Sequence, residues 1–462
     1  MTDTTTTAAT AAAGGVDAVA APPLPATPPP PGTSGTSGTS VRLGWLDALR
    51  GFAALVVVLF HLSPYLIGPA PHAAVMRHID FGKYGVMLFF LVSGYVIPMS
   101  LERHGSLRRF WIGRLFRIYP AFVAAIAVMG LLIAAGVLTL QPSLRAETVS
   151  GALGHATMLQ DMLGLRGVVR VFWTLSYEMV FYLMVAGLFA WRLHRHSGWW
   201  AAALALTALI AGPALPDDLL TPGFTDRRMV AALLLAALVC SVAAYLSGRR
   251  TAALAAGAVG IGFVLLPALN GSPTRLSTVV SSWQALLLLS VMFAGTVVYR
   301  AQHGQMGRRS AALFLTVVTG AVIAAHWVHL AGAATSASGL TAQRTVWIVT
   351  PLAVAATFAV AYALRHRTVP RVLAWLGTIS YSLYLLHAIV LLVVLRFLPE
   401  AYTRPPLMRV GIAVAFLAVA LGAAWTSYRL VERPAQNLGR RLDARWTAAG
   451  AERVPAPAQP RR

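Results

Sequence analysis

The amino-acid sequence predicts an all-α, polytopic integral membrane bundle of ten to twelve helices, and three observations carry that prediction. Of the 462 residues 57% are hydrophobic and only 11% are charged, outside the range of soluble domains. Apolar runs close to the ~20 residues needed to span a bilayer recur from Trp45 to Tyr428. Arginines cluster in the short segments between those runs, as positive-inside loops do.

The runs fall near 45–67, 82–100, 118–138, 172–191, 199–214, 228–247, 251–268, 278–299, 311–331, 344–364, 376–398 and 408–428. Twelve is the count if 199–214 and 251–268, both short, are included. With the N-terminus inside, 21 basic residues fall in the inner segments against 12 in the alternate set, so both termini are expected in the cytoplasm and the protein in the plasma membrane.

Residues 1–40 hold ten threonines and seven prolines and end in a Gly-Thr-Ser repeat. Such a composition cannot bury enough apolar surface to order itself, so a disordered cytoplasmic tail is expected there. It lacks the basic start and apolar core of a secretory signal, leaving targeting to the first membrane helix. Residues 41–433 then form the membrane domain, and 434–462 a basic cytoplasmic C-terminal tail.

The formal charge of +22 invites a nucleic-acid partner, but the basic residues are scattered among apolar runs and offer no contiguous basic face. Lys83 is the only lysine and Cys240 the only cysteine; a disulfide framework and a thiolate metal site are therefore excluded. Cys240 reads as a small buried hydrophobe. His326 and His329 are three apart without an acidic or cysteine companion, so no metal is expected.

Ionisable side chains inside apolar spans are costly enough to suggest function. Arg50 and His61 share one face of the first helix, because eleven residues at ~100° return to within about 20°. The bland reading is a snorkelling arginine and a histidine bonded to a neighbouring helix. Arg114 and Arg117, in what reads as the loop after the second helix, would point the same way on a helix and could grip phosphates. On composition alone they could equally be a positive-inside anchor. Glu178 follows the start of a helix entering from outside, at a depth expected to match His61; the alternative is a carboxylate at ease near a helix N-terminus. The run Ser380-Tyr381-Ser382-Leu383-Tyr384-Leu385-Leu386-His387 could be packing glue, and Ser427 to Pro434 a terminal ion pair with a proline stop.

Taken in order, Asp47-Ala48-Leu49-Arg50-Gly51 with His61, Phe89-Phe90-Leu91-Val92-Ser93-Gly94-Tyr95, Arg114-Leu115-Phe116-Arg117-Ile118-Tyr119-Pro120, Trp173 to Glu178, Ser380 to His387 and Glu432-Arg433-Pro434 resemble the acyltransferase family 3 membrane proteins, from about residue 43 to 434. The resemblance implies O-acyl transfer, usually of acetyl, from cytoplasmic acyl-coenzyme A to a hydroxyl of a carbohydrate or glycosylated acceptor. It also implies that His61 is the catalytic histidine, Arg50 its partner on the same helix, Glu178 the acidic residue, and Arg114 with Arg117 the paired arginines.

On that basis His61 is expected to act as general base with Glu178 orienting it, and the arginines to hold coenzyme A. Tyr381, Tyr384 and His387 are expected to contact substrate, the tyrosines being candidates for the oxyanion; an acyl-histidine intermediate also stays open. The family commonly has ten helices, and many relatives carry a further hydrolase-like domain for which about 28 residues after Pro434 leave no room. The competing class is a proton-coupled transporter or flippase in which His61, Glu178 and His387 relay protons; no internal repeat supports it.

Overall fold

The computed structural model describes residues 38–274, 277–330 and 337–451; the expected tail of residues 1–40 and the end of the C-terminal segment lie almost wholly outside them. The helices are α1 (Gly38–Ile67), α2 (Pro69–Met76), α3 (Phe81–His104), α4 (Leu107–Ala134), α5 (Pro142–Ala146), α6 (Thr148–Thr157), α7 (Trp173–Ala190), α8 (Ser197–Ile210) and α9 (Phe224–Leu246). They continue with α10 (Arg250–Gly262), α11 (Leu265–Leu269), α12 (Ser282–Gln302), α13 (Arg308–His329), α14 (Ala337–Ala363), α15 (Arg371–Phe397), α16 (Pro406–Ser427) and α17 (Arg433–Ala451). Among the described residues eleven helical stretches are long and apolar enough to cross a membrane, within the range the apolar runs predict.

The short helix α8 is not one of the eleven, having only 14 residues. It nevertheless runs the length of α12. Ser197, at its start, accepts a hydrogen bond of 2.7 Å from Arg300 Nε near the end of α12. Just past its other end, a Cβ on Gly212 would lie 3.0 Å from Trp283 at the start of α12. Counting it gives twelve crossings among the described residues, and the ends of that region emerge at one face of the bundle.

Apolar on every side, α7 and α12 are enclosed by the other helices. The backbones of α3 and α12 meet at glycines: a Cβ on Gly94 would lie 1.7 Å from Met292 O, and one on Gly295 2.1 Å from Leu91 O. Gly51 and Gly377 make the same close approach between α1 and α15. Only a residue without a side chain allows such contact, the usual device for joining helices in lipid. Cys240, by contrast, is exposed on α9 and not buried, because a run apolar all round also supplies the surface that faces lipid.

Three expectations need correction. Arg108 to Arg117 do not lie in a loop. Gly105 ends α3 in the left-handed conformation at φ 63°, and Ser106 caps α4 by accepting from Arg109 N, so the connection is two residues long. The stretch between α4 and α7, which the apolar runs leave as a plain connection, is not an exposed loop either: Met158, Leu159, Met162, Leu163 and Phe172 are buried. It is pinned by Ser176 Oγ donating to Met158 O (2.7 Å) and Asn270 Nδ2 donating to Met162 O (2.7 Å). Within it Asp161 is buried with one carboxylate oxygen unpartnered, and that burial pushes its pKa up to about 7.

The third correction concerns Pro434, which does not stop the chain. Residues Tyr428–Glu432 form a π turn, and α17 continues beyond it along the first turns of α4, with Asp443 3.2 Å from Arg109. A wider turn removes the clash between a proline ring and the preceding carbonyls, so the proline is absorbed. The first part of the expected tail is therefore a docked helix.

At the face where the described ends emerge, Arg300 is 1% exposed and bonded to Glu102 (2.6 Å), Gln305 (2.6 Å) and Ser197, tying α3, α8 and α12 together. Glu102→Ala should cost ~3–5 kcal/mol by leaving a buried cation without its carboxylate. A lowered melting midpoint in detergent would show this; an unchanged midpoint would mean that the network is mere surface decoration.

Candidate active site

The tight α3–α4 hairpin sets the first turns of α4 against the inner half of α3 and opens a cavity between α1, α3, α4, α7 and α15. Arg50, Arg114, Arg117 and Glu178 all line it, with Ser93, Tyr182, Tyr381 and Tyr384. The three-residue spacing of Arg114 and Arg117 does what a helix makes it do, turning both to one side. Arg114 is 9% exposed and sits 5.6 Å from the ring centroids of both Phe110 and Tyr182. Tyr182 donates a hydrogen bond to Glu178 Oε1, one turn before it.

The balance of charge is the cavity's distinguishing property. Three guanidinium groups face one lining carboxylate, and none of the ion pairs within 4 Å among the described residues involves them. Glu432, within electrostatic reach of Arg117 and Arg50, is engaged by Ser382 Oγ (2.9 Å) and Gln436 Nε2 (3.0 Å). Cations that line a cavity without an ion pair suit an anion, and three donor-rich forks suit phosphate.

His61 stands elsewhere. It is eleven residues beyond Arg50, ~16 Å along α1, and does not line the cavity. Its Nδ1 lies 2.9 Å from Val57 O and 3.3 Å from Nε2 of His387, and Nδ1 of His387 lies 3.0 Å from Leu383 O. A carbonyl only accepts, so both Nδ1 atoms carry hydrogen, and Nε2 of neutral His61 is left with a lone pair.

A family profile described as an acyltransferase domain matches residues 43–224 and 228–429. The chain belongs to acyltransferase family 3. Acyltransferase MdmB from Streptomyces mycarofaciens is 30% identical over 184 residues, covering 37% of this chain and 46% of that protein. Nodulation protein 10 from Rhizobium leguminosarum bv. viciae is 31% identical over 180 residues, covering 35% and 48%. The chain thus aligns with about half the length of these relatives. No solved structure matches it at a significant level.

Within this acyltransferase family 3 chain, the structure brings Arg50, Arg114, Arg117, Glu178, Tyr381 and Tyr384 together and joins His61 to His387. It separates Glu178 from His61, against expectation. The reason is the buried segment before α7, which makes that helix begin below the bundle's outer face: Thr174, its second residue, donates to Tyr384 Oη at 2.9 Å, already a turn short of His387. Glu178 is a further turn deeper, at the level of the arginines.

The side chain bonded to His61 is His387 and not Glu178. The tyrosines are also reassigned: Tyr381 Oη donates to Ile118 O (3.0 Å) and Tyr384 Oη to Val171 O (2.9 Å), so neither hydroxyl proton is free for an oxyanion. Tyr182 and Glu432 were missed as functional neighbours. The four-residue spacing of Glu178 and Tyr182 was the available signal for the first.

Each arginine in the cavity should contribute a charge-assisted contact to a phosphate-bearing ligand. Arg117→Gln is predicted to weaken coenzyme A binding about 10- to 100-fold by calorimetry, with the melting midpoint retained. Unchanged affinity would reduce Arg117 to a topological anchor.

Proposed function

We propose that this protein is a plasma-membrane O-acyltransferase that moves an acyl group, most simply acetyl, from cytoplasmic acyl-coenzyme A to a hydroxyl of a carbohydrate or glycosylated acceptor. The observation that carries the reading is the cavity with three guanidinium groups and no ion-paired carboxylate. The excess of arginine in the segments at that end of the bundle supports a cytoplasmic orientation, which lets phosphates enter there.

In this mechanism Arg50, Arg114 and Arg117 hold the donor phosphates, and the pantetheine arm covers the ~16 Å to the histidine pair. His61 Nε2 removes the acceptor hydroxyl's proton as its oxygen attacks the thioester carbonyl. The tetrahedral adduct collapses, the carbon–sulfur bond breaks, and the protonated His61 returns the proton to the departing thiolate. Val57 O and His387 Nε2 fix the ring and its tautomer, much as the buried carboxylate does in a serine protease triad. Glu178, held by Tyr182, moderates the positive charge of the cavity.

His61→Ala should lower acceptor-dependent release of free coenzyme A thiol by about 10² to 10⁴ while coenzyme A binding is retained. Near-normal turnover in the folded variant would contradict the assignment of the base.

A further inference from the structure

On the far side of α3 from the arginine cavity lies a groove of about 590 Å³ between α3, α12, α13 and α14. Val86, Phe89, Phe90 and Ser93 of α3 face the cavity, whereas Met87 and Leu91 face the groove. The helix therefore separates the two, and no residue lines both. The floor is apolar and buried, with Val318 and Val322 on α13 and Pro351, Val354 and Phe358 on α14. Along the rims run small exposed side chains, Ala312 on α13 and Ala355 and Ala359 on α14. Positions 351, 354, 355, 358, 359 and 362 recur at helical spacing, so one whole face of α14 looks onto the groove. Because these rims lie on membrane-crossing helices, the groove opens to lipid.

Its donors are gathered at one end. Gln302 ends α12, Arg308 starts α13 and Arg365 follows the last turn of α14, all at the face where the described chain ends emerge. Arg365 is held by its own helix: Nη1 donates to Tyr362 O (2.8 Å), the guanidinium carbon lies 4.1 Å from the Tyr362 ring centroid, and Nε has no partner. Gln302 Oε1 accepts from Tyr95 Oη (2.7 Å), which leaves its amide hydrogens to donate. No carboxylate lines the groove, and neither arginine has an ion pair within 4 Å among the described residues. The groove follows α13 for ~21 Å from Arg308 to Val322, and α14 equally far from Pro351 to Arg365. That is the ~20 Å depth of a single leaflet with its headgroup layer.

We infer that this groove is the binding site of an anionic phospholipid from that leaflet, with the phosphate on Arg308, Arg365 and Gln302 and an acyl chain along α13 and α14. The chain supplies the dispersion contacts that an unfilled groove would forfeit. Any lipid would do as much; the headgroup decides the selection. Two guanidinium groups without a carboxylate attract a net negative headgroup and repel the ammonium of a zwitterionic one. With α3 standing between it and the arginine cavity, the lipid is no reactant. It is a resident component that fills the gap between α14 and the pair α12 and α13, and the inference stands apart from the acyl-transfer reading.

The test uses the full-length protein in phosphatidylcholine nanodiscs that contain a small fraction of a phosphatidylglycerol probe with a photoreactive diazirine in one acyl chain. A phosphatidylcholine probe with the same chain serves as the comparison. The phosphatidylglycerol probe should label peptides of α13 and α14 at least fivefold more than the phosphatidylcholine probe, and unlabelled phosphatidylglycerol should compete with it. Arg308→Gln and Arg365→Gln should each lower the labelling about fivefold, the effect of one charge contact to a headgroup. Arg195→Gln, an exposed arginine at the same face, should leave it unchanged. Ala355→Phe, which fills the groove from its rim, should abolish it, with melting midpoints checking that each variant is folded. Equal labelling by the two probes, read on the wild type alone, would overturn the site. So would labelling unchanged in both arginine variants, or displacement of the probe by coenzyme A or inorganic phosphate, which would make the arginines a site for free phosphates.

Discussion

The organisation of this bundle follows from the cost of enclosing positive charge in a membrane. Removing an unpaired guanidinium from water carries an effective penalty of several kcal/mol even after relaxation, and this chain gathers three at one cavity. It spends no ion pair on them, although Arg300 shows that the fold can neutralise an arginine when the role is structural: Glu102, Gln305 and Ser197 take up its donors. The difference between the ion-paired arginine and the three without an ion pair within 4 Å separates the scaffold from the candidate site. Cation–aromatic contacts of Arg114 with Phe110 and Tyr182, together with Glu178, lower the cost of gathering these charges.

That constraint also explains the architecture around the site. The two-residue link between α3 and α4 fixes where Arg114 and Arg117 point, and the helix after the π turn docks along α4, with Asp443 on Arg109. Glycine contacts between α3 and α12 and between α1 and α15 bring backbones close enough for the surrounding walls to be rigid. The buried segment before α7 shortens that helix from the outside and lowers Glu178 to the arginines. The histidine pair is thereby left at a separate depth, and the site has two poles along the membrane normal.

Much of this was legible in the sequence because membrane helices announce themselves by length and apolarity, and because ionisable residues within them are rare. Arg50 and Glu178 were found that way, whereas Arg114 and Arg117 were read in a loop and only their helical spacing predicted their shared direction. The pairing of His61 with Glu178 was misread, since depth was counted from an assumed surface start of α7, and no local pattern discloses that residues 158–172 fold inward. The partnership of His61 with His387 joins residues 326 apart, which only the tertiary fold can reveal. Tyr381 and Tyr384 looked available because a sequence does not show that backbone carbonyls have already taken their protons.

With the donor phosphates proposed at the arginines and the base at the histidine pair ~16 Å further along α1, the proposed mechanism has donor and acceptor approach one reaction path from opposite faces of the membrane, and compartment-resolved transfer tests it most directly. In proteoliposomes with the protein in a single orientation, acyl-coenzyme A is supplied on the side of the described chain ends and a membrane-impermeant esterase on the other. The account predicts free coenzyme A thiol on the donor side and an acylated acceptor that the opposite esterase cleaves. An acyl product accessible only from the side to which the donor was added would contradict it.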